Sequence, residues 1–455
     1  MSKFTFVHAA DLHLGAPFRG LDAAASGTFG MQPGKGNLLV EAGFNALDRL
    51  EAVCLETGAA FLLLAGDIYD DAYGVLRARF ALRDMFMRLG KAGVRVFIAH
   101  GNHDPLSTGP LPVSWPDNVT VFGPEPLSVC VAQGENILAL VQGISHTIPR
   151  EKANLATRFR RYTPDEDKSG PLANLPDNLA ADIFQIAVLH CNVGGSGEGH
   201  MPYAPCTLSD LTGAGFDYWA LGHVHQGKRL STTPHVVYPG SAQGLHINET
   251  ETHGCVVAQV DGKNCVLREV PLAPVLWRKV HIDVATDSDN ENEPESIDEL
   301  ADRILARLET EAGSCQAATE ALFCRILLAG ATNLDTALRK PGSVATLLER
   351  LRREIAVEGT TPGTAHVWIK DIVIATRPLR DFSLLAERND LVGEVVRLAD
   401  ATGEDSILAK NLASSLAPLY EHHKVKKALD TAALPDIAEL AGSAKSLLCS
   451  LLEED

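Results

Sequence analysis

Along the first 270 residues, short apolar runs alternate with stretches of helical periodicity, the signature of an α/β domain. Runs at residues 4–9, 61–65, 94–99, 137–141, 184–189, 218–221 and 236–238 read as strands. Between the first two, Leu39, Phe44, Leu47, Leu50, Val53 and Cys54 fall on one stripe of a helix. Several runs end in clusters of Asp, His, Asn or Gly, and polar groups at strand ends are where α/β sheets place their active sites. After Pro274 the pattern changes. A helix near 297–310, a strand-like run at 321–328, a helix near 344–355 and a strand-like run at 364–374 describe a small α+β domain. From Asp381 the chain reads as purely helical, with Leu384, Leu391, Val395 and Leu398 on one face and Leu412, Leu416, Leu419 and residues 447–452 continuing the theme. The expected domains are therefore 1–274, 275–378 and 379–455, the last able to pack on its own protein or to accept a partner.

Composition narrows the class without naming a chemistry. For 455 residues, two to three domains of roughly 100–200 residues are expected. With 45% hydrophobic and 22% charged residues, disordered and coiled-coil classes are out. No apolar run approaches the roughly eighteen residues that a bilayer needs, and Met1-Ser2-Lys3-Phe4 opens no signal-peptide core, so a soluble, cytoplasmic protein with no membrane role is expected. The net charge of −18 means that any nucleic-acid binding needs a local basic or metal-bearing site. Arg150, Lys152, Arg158, Arg160 and Arg161 form the clearest basic cluster, either a phosphate-contacting loop or a solvated face. Asp287, Asp289, Glu291, Glu293, Glu295, Asp298, Glu299 and Asp302 read as a solvated acidic segment. Nine cysteines without a Cys-x-x-Cys argue for reduced thiols, and Cys191, although it follows His190, reads as a small core residue.

Five short motifs carry the chemistry: Asp11-Leu12-His13, Gly66-Asp67-Ile68-Tyr69-Asp70, Gly101-Asn102-His103-Asp104, His190, and Gly222-His223-Val224-His225. Four follow an apolar run and His190 ends one. Asp-x-His alone says little; the five together, in this order at strand ends, point to a metal site. Seven candidate ligands, Asp11, His13, Asp67, Asn102, His190, His223 and His225, offer only oxygen and nitrogen. Such a set favours Mn²⁺, with Fe²⁺, Mg²⁺ or Zn²⁺ as alternatives. Seven donors are too many for one tetrahedral ion and suit two ions sharing a bridging carboxylate. Two cations about 3.5–4 Å apart clamp a phosphoryl group and turn a bridging water into hydroxide at neutral pH. Gly66, Gly101 and Gly222 are expected to permit tight turns at the sheet edge. His8, His100 and His146, at or beside strand ends, read as packed, hydrogen-bonded side chains.

The motif series resembles that of the calcineurin-like metallophosphoesterases. His8-Ala9-Ala10-Asp11-Leu12-His13-Leu14-Gly15, Tyr203-Ala204-Pro205-Cys206, Asp217-Tyr218-Trp219-Ala220-Leu221-Gly222-His223-Val224-His225, Tyr238-Pro239-Gly240-Ser241 and Arg388-Asn389-Asp390-Leu391-Val392-Gly393-Glu394 are similar to the SbcD-type DNA repair exonucleases, specifically a YhaO-like bacterial branch. The resemblance implies a four-layer α/β/β/α sandwich, a small α+β capping domain that shapes DNA access, and a helical C-terminal segment. That segment would dock an SMC-like coiled-coil ATPase (SbcC-like or YhaN-like), a separate chain because no Gly-x-x-x-x-Gly-Lys-Ser/Thr phosphate loop occurs here. It also implies that Asp11, His13 and His225 hold one metal and Asn102, His190 and His223 the other, with Asp67 bridging. His103 would be the catalytic histidine, stabilising transition-state charge and protonating the leaving oxygen. Asp70 would orient it, at a position where some archaeal and eukaryotic relatives have histidine; Asp104 is expected to fix the turn. The implied activity is 3′–5′ exonuclease or endonuclease action on DNA in repair or end processing. The residues themselves leave open a small-molecule phosphodiesterase or phosphomonoesterase, an architectural DNA-tethering subunit, and a homodimer.

Overall fold

The chain divides into two units, Met1–Arg278 with Cys315–Phe323 and Pro362–Lys370, and Lys279–Ser314 with Cys324–Thr361 and Asp371–Asp455. A computed structural model describes residues 3–28, 37–70, 75–108, 113–164, 176, 179, 182–194, 203–285, 293–316, 319–358, 364–379, 382–404, 406–421 and 436–452. Among the expected features, Asp287, Asp289 and Glu291 lie outside the described residues.

The first unit contains β1 (Lys3–Ala9), β2 (Phe61–Ala65), β3 (Arg95–Ala99), β4 (Val119–Val121), β5 (Leu127–Gln133), β6 (Asn136–Gly143), β7 (Phe184–His190), β8 (Tyr218–Gly222), β9 (Lys228–Thr232), β10 (His235–Tyr238), β11 (Gly254–Asp261) and β12 (Asn264–Pro271). They form two six-stranded sheets, ordered β12-β11-β1-β2-β3-β4 and β5-β6-β7-β8-β10-β9. Strands β1 to β4 pair in parallel in the first sheet, as β6, β7, β8 and β10 do in the second. The remaining pairings are antiparallel and form the flanks of each sheet.

Strand alternation assigns each side chain to a layer. Phe6, Phe61, Leu63 and Phe97 point inward and meet Phe184, Ile186, Val188 and Tyr218 of the other sheet. Their neighbours Val7, Leu62, Leu64, Val96 and Ile98 face outward onto α2 (Leu38–Glu56) and α3 (Val75–Lys91), which follow a short α1 (Ala23–Thr28). On the far side, Trp219 and Leu221 meet Phe159, Phe216 and Leu211 of α4 (Leu208–Gly213). This is the expected α/β/β/α sandwich. At its centre Phe6 and Phe61 stack at 5.2 Å between centroids, and Tyr218 meets Phe6 edge-on at 5.1 Å. Phe61→Ala would leave a void closed in by both sheets, so it should cost about 3–5 kcal/mol, read from the denaturant midpoint.

The second unit is built around a three-stranded sheet, β13 (Val275–Asp283), β14 (Ala321–Thr332) and β15 (His366–Pro378), in that order. All three strands begin in segments assigned to the first unit. Helix α5 (Ile297–Gly313) is capped by Ser296, whose Oγ accepts from the Glu299 amide, and buries Leu300, Ala301, Ile304 and Leu308. The acidic segment is partly engaged, because Asp298 pairs with Arg350 of α7 (Ser343–Glu358), which follows α6 (Asp335–Arg339). Among the described residues, four helices follow: α8 (Phe382–Ala386), α9 (Leu391–Glu404), α10 (Ser406–Glu421) and α11 (Ile437–Leu452). Their packed stripe is not the leucine stripe that the spacing suggested. Val392 and Val396 bury against Cys449 and Phe382, while Leu391 and Leu398 remain about 60% exposed, at 62% and 60%. No helix among the described residues is long and apolar enough to cross a membrane.

Candidate metal centre

The parallel strands of both sheets run the same way within each sheet, so their carboxyl ends bring the motif loops together. Backbone bonds lock the first two loops side by side: Asp11 donates to Gly66, and His13 to Asp67, each at 3.0 Å. Asp104 ties in the third. Its Oδ1 accepts from the amides of Gly101 (2.7 Å) and Asp67 (3.2 Å), its Oδ2 from that of Ile68 (3.0 Å). Asp104 thus fixes the turn, as expected, and His100 Nδ1 braces it at 3.1 Å. Asp11, His13, Asp67 and His223 all adopt positive φ, at 50°, 41°, 50° and 105°. Four non-glycine residues held in a costly region are a mark of a functional site.

The motif glycines act mainly through space. A Cβ on Gly222 would sit 1.8 Å from the Ala65 carbonyl oxygen, and one on Gly66 would sit 2.3 Å from His190 Nδ1. Only Gly66 of the three also needs a positive φ, at 88°. The two sheets therefore approach too closely here for any side chain at 222. Gly222→Ala should lower stability by about 3 kcal/mol or more, measured by denaturation.

The donor atoms converge. His13 Nε2 lies 3.2 Å from His225 Nε2 and 3.8 Å from Asp67 Oδ2. His190 Nε2 lies 3.0 Å from Asn102 Oδ1 and 3.4 Å from Asp67 Oδ2. Asp11, His13 and His225 offer atoms within 4.8 Å of one another, as do Asp11, Asp67 and His190. A third such group joins His13 to Asp70 and His103. His223 falls in none of the three, but its ring lies 5.3 Å from that of His190 and its amide donates to both oxygens of Asp11.

The donor chemistry fits divalent cations. His190 Nδ1 faces the Ala65 carbonyl at 2.9 Å, and a carbonyl can only accept, so Nδ1 carries the hydrogen. In a neutral ring the Nε2 lone pair then faces the Asp67 carboxylate, an arrangement that only a second proton or a metal ion reconciles. The electrostatics agree. Burial alone would lower His190, yet Asp67 and Asp11 outweigh it and push it up to about 9. Burial works against Asp67 too, but the His190 imidazole holds it well below the usual carboxylate range. Burial raises Asp11 to about 6 against the pull of His190 and His225, and lowers His13 to about 4. The His13–His225 spacing also suits a shared ion, because ligands about 2.1 Å from one metal sit roughly 3.0–3.4 Å apart.

His103 stands beside this set with its side chain 39% exposed, its ring edge-to-face with His13 at 4.9 Å. Its amide donates to Asp67 Oδ1 at 2.8 Å, and its Nδ1 meets Asp70 Oδ2 at 3.2 Å. The structure thus brings Asp70 and His103 together.

Other sequence candidates fall elsewhere. His8 is buried against the Tyr218 hydroxyl at 3.0 Å, and His146 Nε2 donates to the His190 carbonyl at 2.6 Å. Cys191 is fully buried with its Sγ 3.7 Å from that of Cys206, and that thiol and burial keep it protonated; none of the nine cysteines is in a disulfide. Of the basic cluster, Arg158 pairs with Glu125 and Arg161 lies 4.0 Å from Asp217, while Arg150 and Lys152 are exposed. One contact of the site was not legible in any motif. Glu249 Oε1 lies 2.8 Å from His225 Nδ1, and that imidazole holds Glu249 down to about 2 although burial would raise it. An acid 24 residues past the motif, in an irregular loop, gives no spacing signal.

Comparison with known proteins agrees with this geometry. The calcineurin-like phosphoesterase family matches residues 4–227, and the middle domain of metallophosphoesterase YhaO matches residues 277–377. The uncharacterized metallophosphoesterase YhaO of Bacillus subtilis (strain 168) is 35% identical over 288 residues, 62% of this chain and 64% of that protein. The DNA double-strand break repair protein Mre11 of Thermoplasma acidophilum is 24% identical over 262 residues, 56% of this chain and 65% of that protein. The matched stretches thus span just under two thirds of either relative.

Proposed function

Because residues 4–227 of this chain belong to the calcineurin-like phosphoesterases, we propose that the protein is a two-metal phosphodiesterase that cleaves DNA as an exonuclease or endonuclease. Asp11, His13 and His225 would hold one divalent ion and Asn102, His190 and His223 a second, with Asp67 as the shared carboxylate. When bound, such ions neutralise phosphoryl oxygens and lower the pKa of an attacking water. Mn²⁺ suits this donor set best, with Fe²⁺, Mg²⁺ or Zn²⁺ as alternatives. The observation that carries the reading is the convergence of Asp67 with His13 and His190, at 3.8 and 3.4 Å, at the mouth of a strained loop cluster.

This chain's own residues supply the rest. His103, steadied by Asp70, donates a proton to the leaving oxygen, and the Asp67 carboxylate orders the His103 backbone. DNA as substrate is supported by the similarity to the Mre11 relative, and by a second unit beyond the needs of a small-ester phosphatase. The helical segment is the docking face for an SMC-like coiled-coil ATPase; the exposed Leu384, Leu391, Leu398, Leu447 and Leu451 support that assignment. A small-molecule phosphodiesterase is the second reading. It is favoured by the net charge of −18 and by the pairing of Arg158 with Glu125, which reduce the attraction for a long polyanion.

The test is Mn²⁺-dependent release of nucleotides from a linear duplex, set beside bis-p-nitrophenyl phosphate and p-nitrophenyl phosphate. The DNA reading expects duplex cleavage with little monoesterase activity. Turnover of the small diester without DNA cleavage, even with the ATPase added, would replace it with the second reading.

A further inference from the structure

We propose that Glu249 is a positioning residue for the His225 imidazole, setting which nitrogen His225 presents to a divalent ion; the inference rests on the two-metal reading above. The Glu249 carboxylate makes two contacts. Its Oε1 lies 2.8 Å from His225 Nδ1, and its Oε2 accepts the Leu245 amide at 2.6 Å. An ionised carboxylate has no proton to give, so Nδ1 bears the hydrogen and the lone pair belongs to Nε2. That Nε2 is the atom 3.2 Å from His13 Nε2. Without an acceptor at Nδ1 the ring would be free to take the other tautomer and to turn about its Cβ–Cγ bond.

The loop that carries Glu249 is anchored back to His225 itself. The Glu249 amide donates to His246 at 2.8 Å, and the Glu249 carbonyl accepts from His253 Nε2 at 3.1 Å. His253 Nδ1 meets Ser241 Oγ at 2.8 Å, and the Ser241 amide donates to the His225 carbonyl at 2.9 Å. These bonds close a circuit that starts and ends on one residue, with Ser241 and His253 both buried. The carboxylate is therefore pre-placed, not recruited from solvent. A carboxylate behind a histidine ligand fixes its orientation and raises its basicity, and removing one typically costs about 10–100-fold in metal affinity.

The experiment is calorimetric titration of the metal-free, full-length chain with Mn²⁺, comparing wild type, Glu249→Gln and Glu249→Ala, with circular dichroism and the thermal midpoint recorded for each. Glu249→Ala should weaken Mn²⁺ binding by about 10–100-fold. Glu249→Gln should lose less, because its amide oxygen still accepts from Nδ1 but without charge. Wild-type affinity in a folded Glu249→Ala protein, or in Glu249→Gln should the alanine variant not fold, overturns the role. A lowered thermal midpoint with unaltered Mn²⁺ affinity does the same, since that is the mark of a merely structural contact. Should wild type itself bind no Mn²⁺, the two-metal reading falls, and this inference with it.

Discussion

Asp67→Asn protein, dialysed against Mn²⁺ and then desalted, is expected to retain far less metal than wild type by elemental analysis. The Asp67 carboxylate faces both halves of the set, with Oδ2 3.8 Å from His13 Nε2 and 3.4 Å from His190 Nε2. Losing its charge should therefore weaken binding by more than the about 10–100-fold that an outer partner costs. Asparagine is the informative replacement, because its amide oxygen can still accept the His103 amide that now reaches Asp67 Oδ1 at 2.8 Å. The alanine variant would add the cost of an orphaned buried donor, about 1–3 kcal/mol, and confuse folding with metal loss. The sign of a second readout follows. Without metal, His190 sits near 9 because Asp67 and Asp11 overcome its burial, so Asp67→Asn should move it downward in an NMR titration. Unchanged metal content in the variant would remove Asp67 from the shared position.

His103→Ala should behave differently, holding metal and losing turnover. A positioned general acid contributes about 10²–10⁴-fold, so kcat should fall by that order while the metal-to-protein ratio stays at the wild-type value. Its half-exposed ring, turned edge-on to His13, is placed to meet a substrate atom outside the buried donors. Asp70→Asn should cost less than His103→Ala, because the effect of Asp70 on turnover passes through the imidazole it meets at 3.2 Å. Full activity in His103→Ala would end the acid role, and metal loss in that variant would reassign His103 to the group it forms with His13 and Asp70.

Much of this was legible beforehand. The strands that end in motifs, residues 4–9, 61–65, 94–99, 184–189 and 218–221, emerge as β1, β2, β3, β7 and β8, since fully buried parallel strands are written as unbroken apolar runs. Strands β5 and β12 went unread because most of their positions are only partly buried or exposed, so their apolar signal is diluted. Strand β11 pairs with β1 across some 250 residues, Lys3 opposite Asp261, and no local pattern announces a partner that distant. In the C-terminal helices, periodicity found helix but chose the wrong face, since Val392 and Val396 rather than Leu391 and Leu398 meet Cys449.

The sequence by itself determined the layers and the donor types. Side chains alternate between the two faces along each strand, and ligand chemistry travels with the residue. Only the tertiary structure decided the rest. That Gly222 must lack a side chain follows from Ala65 in the other sheet, that Arg158 is paired follows from Glu125, and that His225 has its tautomer set follows from Glu249. Each is a contact between chain segments distant in sequence, and hydrogen bonds and close packing act over a few ångströms of space whatever the separation along the chain.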